Sequence, residues 1–544
     1  MFCKIRPVRS RADFLMGDKL AAYMKNQIAV FGLSLALLLA LAACGRQEGA
    51  LLPHPPKVAT PAKIYDASIK AYDGSEIVFT VFVPPLASGE KVPLILHGHG
   101  WGSSRVSTGD PVTLTTGEGG AVSSVITGIS DSEFVGPFWH AGYGVISFDQ
   151  RGWGESGGLV SVMDPHLDIR GISAIIDWAE ENLDWLAYED NDPVVGATGL
   201  SYGGGYQLML ASQDDRLDAM TPFIAWNDLR YSLAPVGNPA EQSVPKSLWL
   251  DLLIASGTLN SSNGLEPFVT QSFNQALIQN TFNPRAAEQY YFRSPAYWCQ
   301  AGRMRPVPTL LVQGMRDILF NFNEAFWNQG CLEKAGAPVR LLTFQAGHTL
   351  PVVQQAPGTP LCGETDTLAA MVIWMDAYLK GEKDALDQIP EVCFSLAEGQ
   401  SLDLDAVPVG GHEFELSPTT VASGRGAVSK AFVPLYTAEG KEVLAGIPLA
   451  DLEMVVDEGE DAIVFVGIGI KPSGSPDVIL VDGQELPLRG AQTYQGALIG
   501  VGEALEPGDQ VGIVIQSTRR VYIHNGARQD FIATLSGKVQ LPLQ

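Results

Sequence analysis

Residues 193–212 read PVVGATGLSYGGGYQLMLAS. The first seven form a short apolar run ended by glycine, the pattern of a strand buried on both faces. The last nine, GGYQLMLAS, read as a helix. Between them stands Gly199-Leu200-Ser201-Tyr202-Gly203, a G-x-S-x-G pattern. A strand that doubles back directly into a helix leaves no room for Cβ atoms beside the turn, so glycines flank it and the serine hydroxyl is lifted clear of the backbone. In a chain with 58 glycines the bare pattern means little. Its place between strand and helix makes Ser201 a candidate nucleophile.

Outward from this turn the alternation continues. IVFTVFVPP (77–85), VPLILHGHG (92–100), GVISFD (144–149), PTLLVQG (308–314) and VRLLTF (339–344) are further strand runs. Between them Ile169, Ile172, Ile176, Ala179 and Leu183 recur on one helical face, as do Leu368, Met371, Val372, Met375 and Leu379, with Gly381 as a stop. Continuous apolar strands alternating with amphipathic helices predict an α/β fold with a mostly parallel sheet covered on both faces. Two insertions interrupt it: a Gly-, Ser- and Thr-rich excursion over 101–130, and a mainly helical cap over about 228–305. After about residue 385 the helical period gives way to strands with turn chemistry. VILV, Asp482-Gly483 and QELPL, then VYIH, Asn525-Gly526 and ARQDFIATL, read as hairpins of an all-β, jelly-roll-like sandwich. The expected domains are therefore 63–384 and 385–544.

A serine hydroxyl needs a base, and in an α/β-hydrolase the chain order is serine, acid, histidine. Of eight histidines, only His348 follows Ser201 and still lies within the α/β part, in the loop after VRLLTF. A lone loop histidine is usually a solvated surface residue; elimination makes this one the candidate base. Asp317, after PTLLVQ, stands where the orienting acid belongs. Asp228 competes, because some hydrolases take the acid after the strand following the elbow; its alternative role is to cap a helix at the start of the cap.

An oxyanion formed by attack on a carbonyl needs two donors fixed in advance. One is expected from the backbone N–H of Tyr202. The second is expected from His97-Gly98-His99-Gly100-Trp101, at the N–H of His99 or Trp101. The His-x-His pair also suits zinc, but no carboxylate or cysteine cluster stands at ligand spacing, so the stretch is read as a Gly-rich turn, and neither a metal nor a cofactor is expected. The loop 149–157, DQRGWGESG, lacks phosphate-cradle and dinucleotide spacing and is read as structural, with Asp149 and Arg151 tying loops near the site floor.

The segments DQRGWGESGG (149–158), GLSYGGGYQ (199–207), GMRDILF (314–320) and AGHTLP (346–351), with a cap and a terminal β domain, resemble the X-Pro dipeptidyl-peptidase and cocaine-esterase group of α/β-hydrolases. The resemblance covers most of the chain after about residue 65. It implies an α/β-hydrolase fold, a triad of Ser201, Asp317 and His348, a helical cap shaping the pocket and a jelly-roll domain beside the site. Many members place a donor tyrosine in the loop where this chain has HGHGW, a departure that favours an all-backbone oxyanion hole. No acidic residues that would hold a free amino terminus are evident. The resulting expectation is an acyl-ester-cleaving serine hydrolase acting on a small-molecule or peptide acyl substrate. The alternatives are an X-Pro-type peptidase and a non-catalytic surface lipoprotein whose β domain binds a partner.

With 60 Asp and Glu against 35 Lys and Arg, the formal charge of −25 repels polyanions, and nucleic acid is excluded as a partner. The one long apolar run, IAVFGLSLALLLALAA (28–43), follows Lys25 and reads as a signal peptide over 1–43, with its core at 24–43. It ends in Leu41-Ala42-Ala43-Cys44, which resembles a bacterial lipobox. Cys44 is thus the expected acylation site, residues 44–62 a Pro- and Ala-rich tether, and the membrane a partner through the lipid anchor. An exported envelope lipoprotein, outer-membrane or periplasmic, is the expectation. Of the remaining cysteines, 299, 331, 362 and 393, the expected pairing joins Cys331 to Cys362 and clips the loop carrying His348.

Overall fold

The computed structural model describes residues 58–108, 129–235, 244–348, 360–396, 399–424, 429–522 and 526–544. The expected signal segment, Cys44, most of the tether and residues 109–128 of the first excursion lie outside the described residues.

Among the described residues the main sheet has ten strands. In chain order they are β1 (Lys63–Lys70), β2 (Glu76–Val83), β3 (Leu94–Gly98), β4 (Gly144–Phe148), β5 (Val195–Leu200), β6 (Leu217–Phe223), β7 (Thr309–Gly314), β8 (Val339–Phe344), β9 (Val392–Ser395) and β10 (Ser401–Leu404). In space they run β1-β2-β4-β3-β5-β6-β7-β8-β9-β10. The stretch from β4 to β9 is parallel; β1, β2 and β10 pair antiparallel at the edges. Every residue of β3, β4, β5 and β7 is buried, as both faces of a covered parallel sheet require. Successive residues feed opposite cores: Leu94 and Leu96 of β3 pack into one, Ile95 into the other. After β3 the chain builds β4 on one side and β5 on the other, so the strand order switches there. A crevice at such a switch, outside the carboxyl ends of the strands, is where open α/β sheets take ligands.

Helix α1 (Arg170–Asn182) turns Ile172, Ile176 and Ala179 inward, with Ile169 and Leu183 buried at its ends, as the sequence period requires. Helix α2 (Tyr202–Ala211) follows β5 directly and is buried throughout. The cap comprises α3 (Ser247–Asn260), α4 (Pro267–Gln279), α5 (Pro284–Phe292) and α6 (Pro295–Gln300). Proline opens the last three, where its missing N–H would be unpaired anyway. Helix α7 (Phe322–Ala335) follows β7, and α8 (Thr367–Leu379) is capped by the Asp366 carboxylate on the Leu368 and Ala369 N–H groups. The buried stripe of α8 runs through Ala370, Met371, Trp374 and Met375, while Leu368 and Val372 of the expected face are half-buried.

Strand pairing carries the main sheet past residue 385, the expected boundary, to Leu404. Beyond it, antiparallel sheets pack around Leu452, Val464, Ile513 and Leu535 as a β-sandwich. One holds His412–Ala422, Ile532–Leu541, Leu449–Glu458 and Gln492–Ala497; the other is built on Lys430–Thr437, Gln510–Gln516 and Ile463–Lys471. The expected hairpins do not form as read. Ile479–Leu480 and Leu486–Arg489 each pair with Ile463–Lys471, not with one another across Asp482-Gly483. Arg520–Tyr522 is a 3-10 turn, and residues 523–525 lie outside the described residues.

The disulfides are Cys299–Cys331 and Cys362–Cys393, which corrects the expected 331–362 link. Helix α6 packs on α7 and brings Cys299 to Cys331, with Cα atoms 5.8 Å apart. The short strand Leu361–Cys362 lies beside β9 and brings Cys362 to Cys393 at 6.3 Å. Both separations lie within disulfide reach.

Candidate active site

Ser201 sits between β5 and α2 with φ 57° and ψ −114°, a conformation that a non-glycine residue adopts only under constraint. The constraint is visible: Ser201 N–H donates to Phe223 O at 2.8 Å, and the Gly204 and Gly205 N–H groups donate to Ser201 O at 2.9 Å. A Cβ at Gly199 would lie 2.2 Å from Gly98 O, and one at Gly203 only 1.9 Å from it. The elbow glycines are therefore set by the close approach of the end of β3.

Ser201 Oγ is 2.7 Å from His348 Nε2, and His348 Nδ1 is 2.5 Å from Asp317 Oδ2. A carboxylate can only accept, so Nδ1 carries the hydrogen and Nε2 is left to accept from the serine. Asp317 is fully buried, and its Oδ1 accepts the N–H groups of Leu319 at 2.9 Å and Phe320 at 2.7 Å. The ring of His348 is walled by Phe320 and Trp249. The three side chains thus come from loops after β5, β7 and β8, all at the carboxyl end of the sheet. Asp228 is elsewhere: it caps the short helix Leu229–Leu233 through Arg230 N–H and pairs with the Arg230 guanidinium.

Two residues that sequence reading missed brace the Asp317 loop. Gln484, from the β-sandwich, donates through Nε2 to Asp317 O at 2.7 Å and Met315 O at 3.3 Å. Lys246, before α3, is buried and donates to Leu319 O at 2.9 Å. Burial pulls its ammonium down to about 8, against the opposing pull of Glu324 and Asp317. Neither had a signal in the sequence, since the contacts span 73 to 169 residues.

Tyr202 is the first residue of α2, where backbone N–H groups have no intrahelical partner. Its ring packs among Trp101, Trp153 and Trp226, and its hydroxyl accepts the Met163 N–H at 3.3 Å. In the loop after β3, Gly100 and Trp101 line the cavity at Ser201. His97 and His99 are fully buried; His97 Nδ1 meets Ser147 Oγ at 2.9 Å, and Asp131 lies 3.7 Å from its Nε2. In the 149–157 loop, Asp149 holds Arg105 rather than Arg151, whereas Arg151 reaches Asp73 and Ser75. Asp149 and Arg105 are both buried, and Arg105 is the partner that sequence reading missed.

Over Ser201 lie two apolar lobes that share Trp101, Leu253 and Leu319. The first extends between Val162, Trp226, Phe273 and Tyr290. The second holds Gly100, Trp249, Leu252 and His348. No carboxylate, lysine or arginine lines either lobe among the described residues.

Comparison with known proteins places this arrangement. A curated Escherichia coli relative, an uncharacterised 31.7 kDa protein of the traX-finO intergenic region, is 35% identical over 95 residues. That alignment covers 18% of this chain and 32% of the relative, so the chain spans about a third of the length of the curated relatives it matches. Among solved structures, a CocE/NonD family hydrolase from Staphylococcus aureus superposes with a TM-score of 0.63 at 15% identity, covering 89% of this chain and 94% of that one. An aminopeptidase from a marine sediment Thaumarchaeota archaeon gives 0.60 at 15% identity, covering 92% and 100%. An α-amino acid ester hydrolase gives 0.60 at 13%, also covering 92% and 100%. These likenesses establish the α/β-hydrolase fold with its attached β domain. The model of the X-Pro dipeptidyl-peptidase (S15) family matches residues 73–349, just over half of the chain and the whole span from β2 to His348, and to that family the chain belongs.

Proposed function

We propose that the protein is an exported, lipid-anchored serine hydrolase that cleaves acyl esters through an acyl-enzyme. Ser201 Oγ attacks the acyl carbon while its proton passes to His348 Nε2. The leaving alkoxide departs with that proton. Water then attacks the acyl carbon as its proton passes to His348 Nε2, and the Ser201 Oγ–acyl bond breaks as His348 returns that proton to Oγ, releasing the acid. Asp317 orients the imidazole and stabilises its charged form, and backbone N–H groups of Tyr202 and of the His99–Trp101 loop hold the oxyanion.

The observation that carries the ester reading is the apolar cavity over Ser201, with no carboxylate in its lining among the described residues. The family match favours an X-Pro dipeptidyl-peptidase as the second reading. Such an enzyme must hold a free ammonium group, as must one that takes α-amino acid esters, and an uncompensated ammonium in an apolar cavity is strongly disfavoured. Neutral acyl groups carry no such penalty.

The test is turnover of a p-nitrophenyl ester panel beside Xaa-Pro p-nitroanilides, with Ser201→Ala as control. We expect ester hydrolysis that the substitution abolishes, and intact anilides. Anilide cleavage dependent on Ser201 would establish the peptidase instead. A folded protein that resists both substrates and a fluorophosphonate probe would favour a binding lipoprotein. Lipidation is read from labelled palmitate, expected on the full chain and absent from Cys44→Ala.

A further inference from the structure

We infer that the imidazole of His99 is a positioning residue of the oxyanion hole, turning the Gly100–Trp101 peptide so that the Trp101 N–H faces the carbonyl attacked by Ser201. The inference rests on the ester-hydrolase reading above and extends it to a residue whose side chain touches neither serine nor substrate.

Both ring nitrogens of His99 are engaged: Nδ1 lies 2.7 Å from Gly100 O, and Nε2 lies 3.1 Å from Gln150 N. A carbonyl only accepts and a backbone N–H only donates, so the ring is neutral with its hydrogen on Nδ1. Full burial, which holds its pKa below the ordinary histidine value, keeps it in that form.

The rest of the loop is tied as well. Gly100 O also receives the Ser103 N–H at 3.2 Å, and Gly100 N–H donates to Asp131 Oδ1 at 3.3 Å. Asp131 Oδ2 accepts from Ser103 Oγ at 2.8 Å, and His99 O accepts from Gln150 Nε2 at 2.5 Å. In a planar trans peptide the N–H points opposite to the C=O. With Gly100 O drawn back onto the His99 ring, the Trp101 N–H is directed to the other face of the peptide. Gly100 and Trp101, but not His99, line the lobe shared with Ser201 and His348. The Trp101 indole is itself fixed, donating to Leu253 O at 3.1 Å with its ring 5.2 Å from that of Tyr202. On this inference Trp101 supplies the second backbone donor.

Two substitutions separate positioning from space-filling. His99→Asn keeps an N–H donor near the Nδ1 position but loses the ring volume; His99→Phe keeps the volume and loses the donor. On a p-nitrophenyl ester we expect kcat to fall about a hundredfold in His99→Phe, the scale of losing one oxyanion donor. KM should stay within about twofold, with affinity for a trifluoromethyl ketone, which mimics the tetrahedral intermediate, weakened in parallel with kcat. His99→Asn should retain most of both. If His99→Phe does not fold, His99→Ala takes its place, lacking donor and volume together, and Asn should still exceed it. Rates that follow volume rather than the donor, or a loss of kcat with unchanged ketone affinity, would overturn the assignment while leaving the hydrolase reading intact. Wild-type protein without Ser201-dependent ester turnover would overturn both.

Discussion

Asp317 has both carboxylate oxygens occupied, Oδ2 by His348 and Oδ1 by two N–H groups of its own loop, whereas Asp228 spends its oxygens on a helix cap and Arg230. Replacing Asp317 with Asn should leave the loop folded but remove the acceptor that fixes the His348 tautomer. We expect kcat to fall by about 10³ to 10⁴ with KM little changed. Asp228→Asn should stay within a fewfold of wild type in the same ester assay, and a comparable loss there would move the acid to Asp228. Val162 and Met163 are two successive residues at positive φ, 58° and 60°, and Val162 forms part of the first lobe. The segment is held by Arg293 on Ser161 O and Asp164, and by Asp168 on Ser161 and Asp164 N–H. Val162→Ala should deepen the lobe. A newly buried methylene contributes about 0.8 kcal/mol, so kcat/KM for longer acyl chains should gain roughly fourfold per carbon relative to acetate. An unchanged chain-length profile would place the acyl group in the other lobe.

At the scale of elements, apolar runs such as PVVGATG and PTLLVQG were legible because a strand buried on both faces needs no alternation, only length and a terminating glycine. The β9 segment VCFS escaped reading. It is four residues long and joins the sheet edge only after α8, in a stretch where the β-sandwich was already expected. Asp482-Gly483 does turn the chain, with Asp482 at φ 52°, yet its flanks find their hydrogen bonds on a third strand, a long-range pairing that turn chemistry does not encode. Cysteine spacing failed for a related reason. The true links span 32 and 31 residues, as does the expected one, so helix and strand packing alone decides. Each true link closes a loop worth about 3 to 4 kcal/mol on the chain-entropy model. Cys299→Ser with Cys331→Ser should lower urea stability by about that amount while sparing kcat, because neither cysteine lines a lobe at Ser201. A stability loss near zero would mean that packing of α6 on α7 suffices without the bond.

Across the whole molecule, ionisation and domain contact both reach the fold's stability and its site. Asp168 and Glu324 are buried, and burial pushes each up to about 7, outweighing donors that favour charge. Unfolded Asp and Glu release their protons near pH 4. Between about pH 4 and 7 the native state therefore keeps protons that the unfolded chain has lost, and these two groups make stability fall as pH rises through that window. Glu324→Gln should flatten the dependence of the urea midpoint on pH; an unaltered slope would remove Glu324 from the account. The β-sandwich, legible as a domain, was not legible as a brace, because Gln484 meets Asp317 across 167 residues. Gln484→Ala should lower kcat by roughly ten- to a hundredfold, with KM and the far-ultraviolet circular dichroism unchanged, since small misplacements of a reacting group are costly. Unchanged kcat would make the contact merely adhesive. That same brace orders events during synthesis. Ser201, Asp317 and His348 all leave the ribosome before residue 484, so a nascent chain can hold all three without the Gln484 clamp on the Asp317 loop. On the proposed function, chains truncated before residue 484 should hydrolyse esters poorly even where their α/β portion has folded.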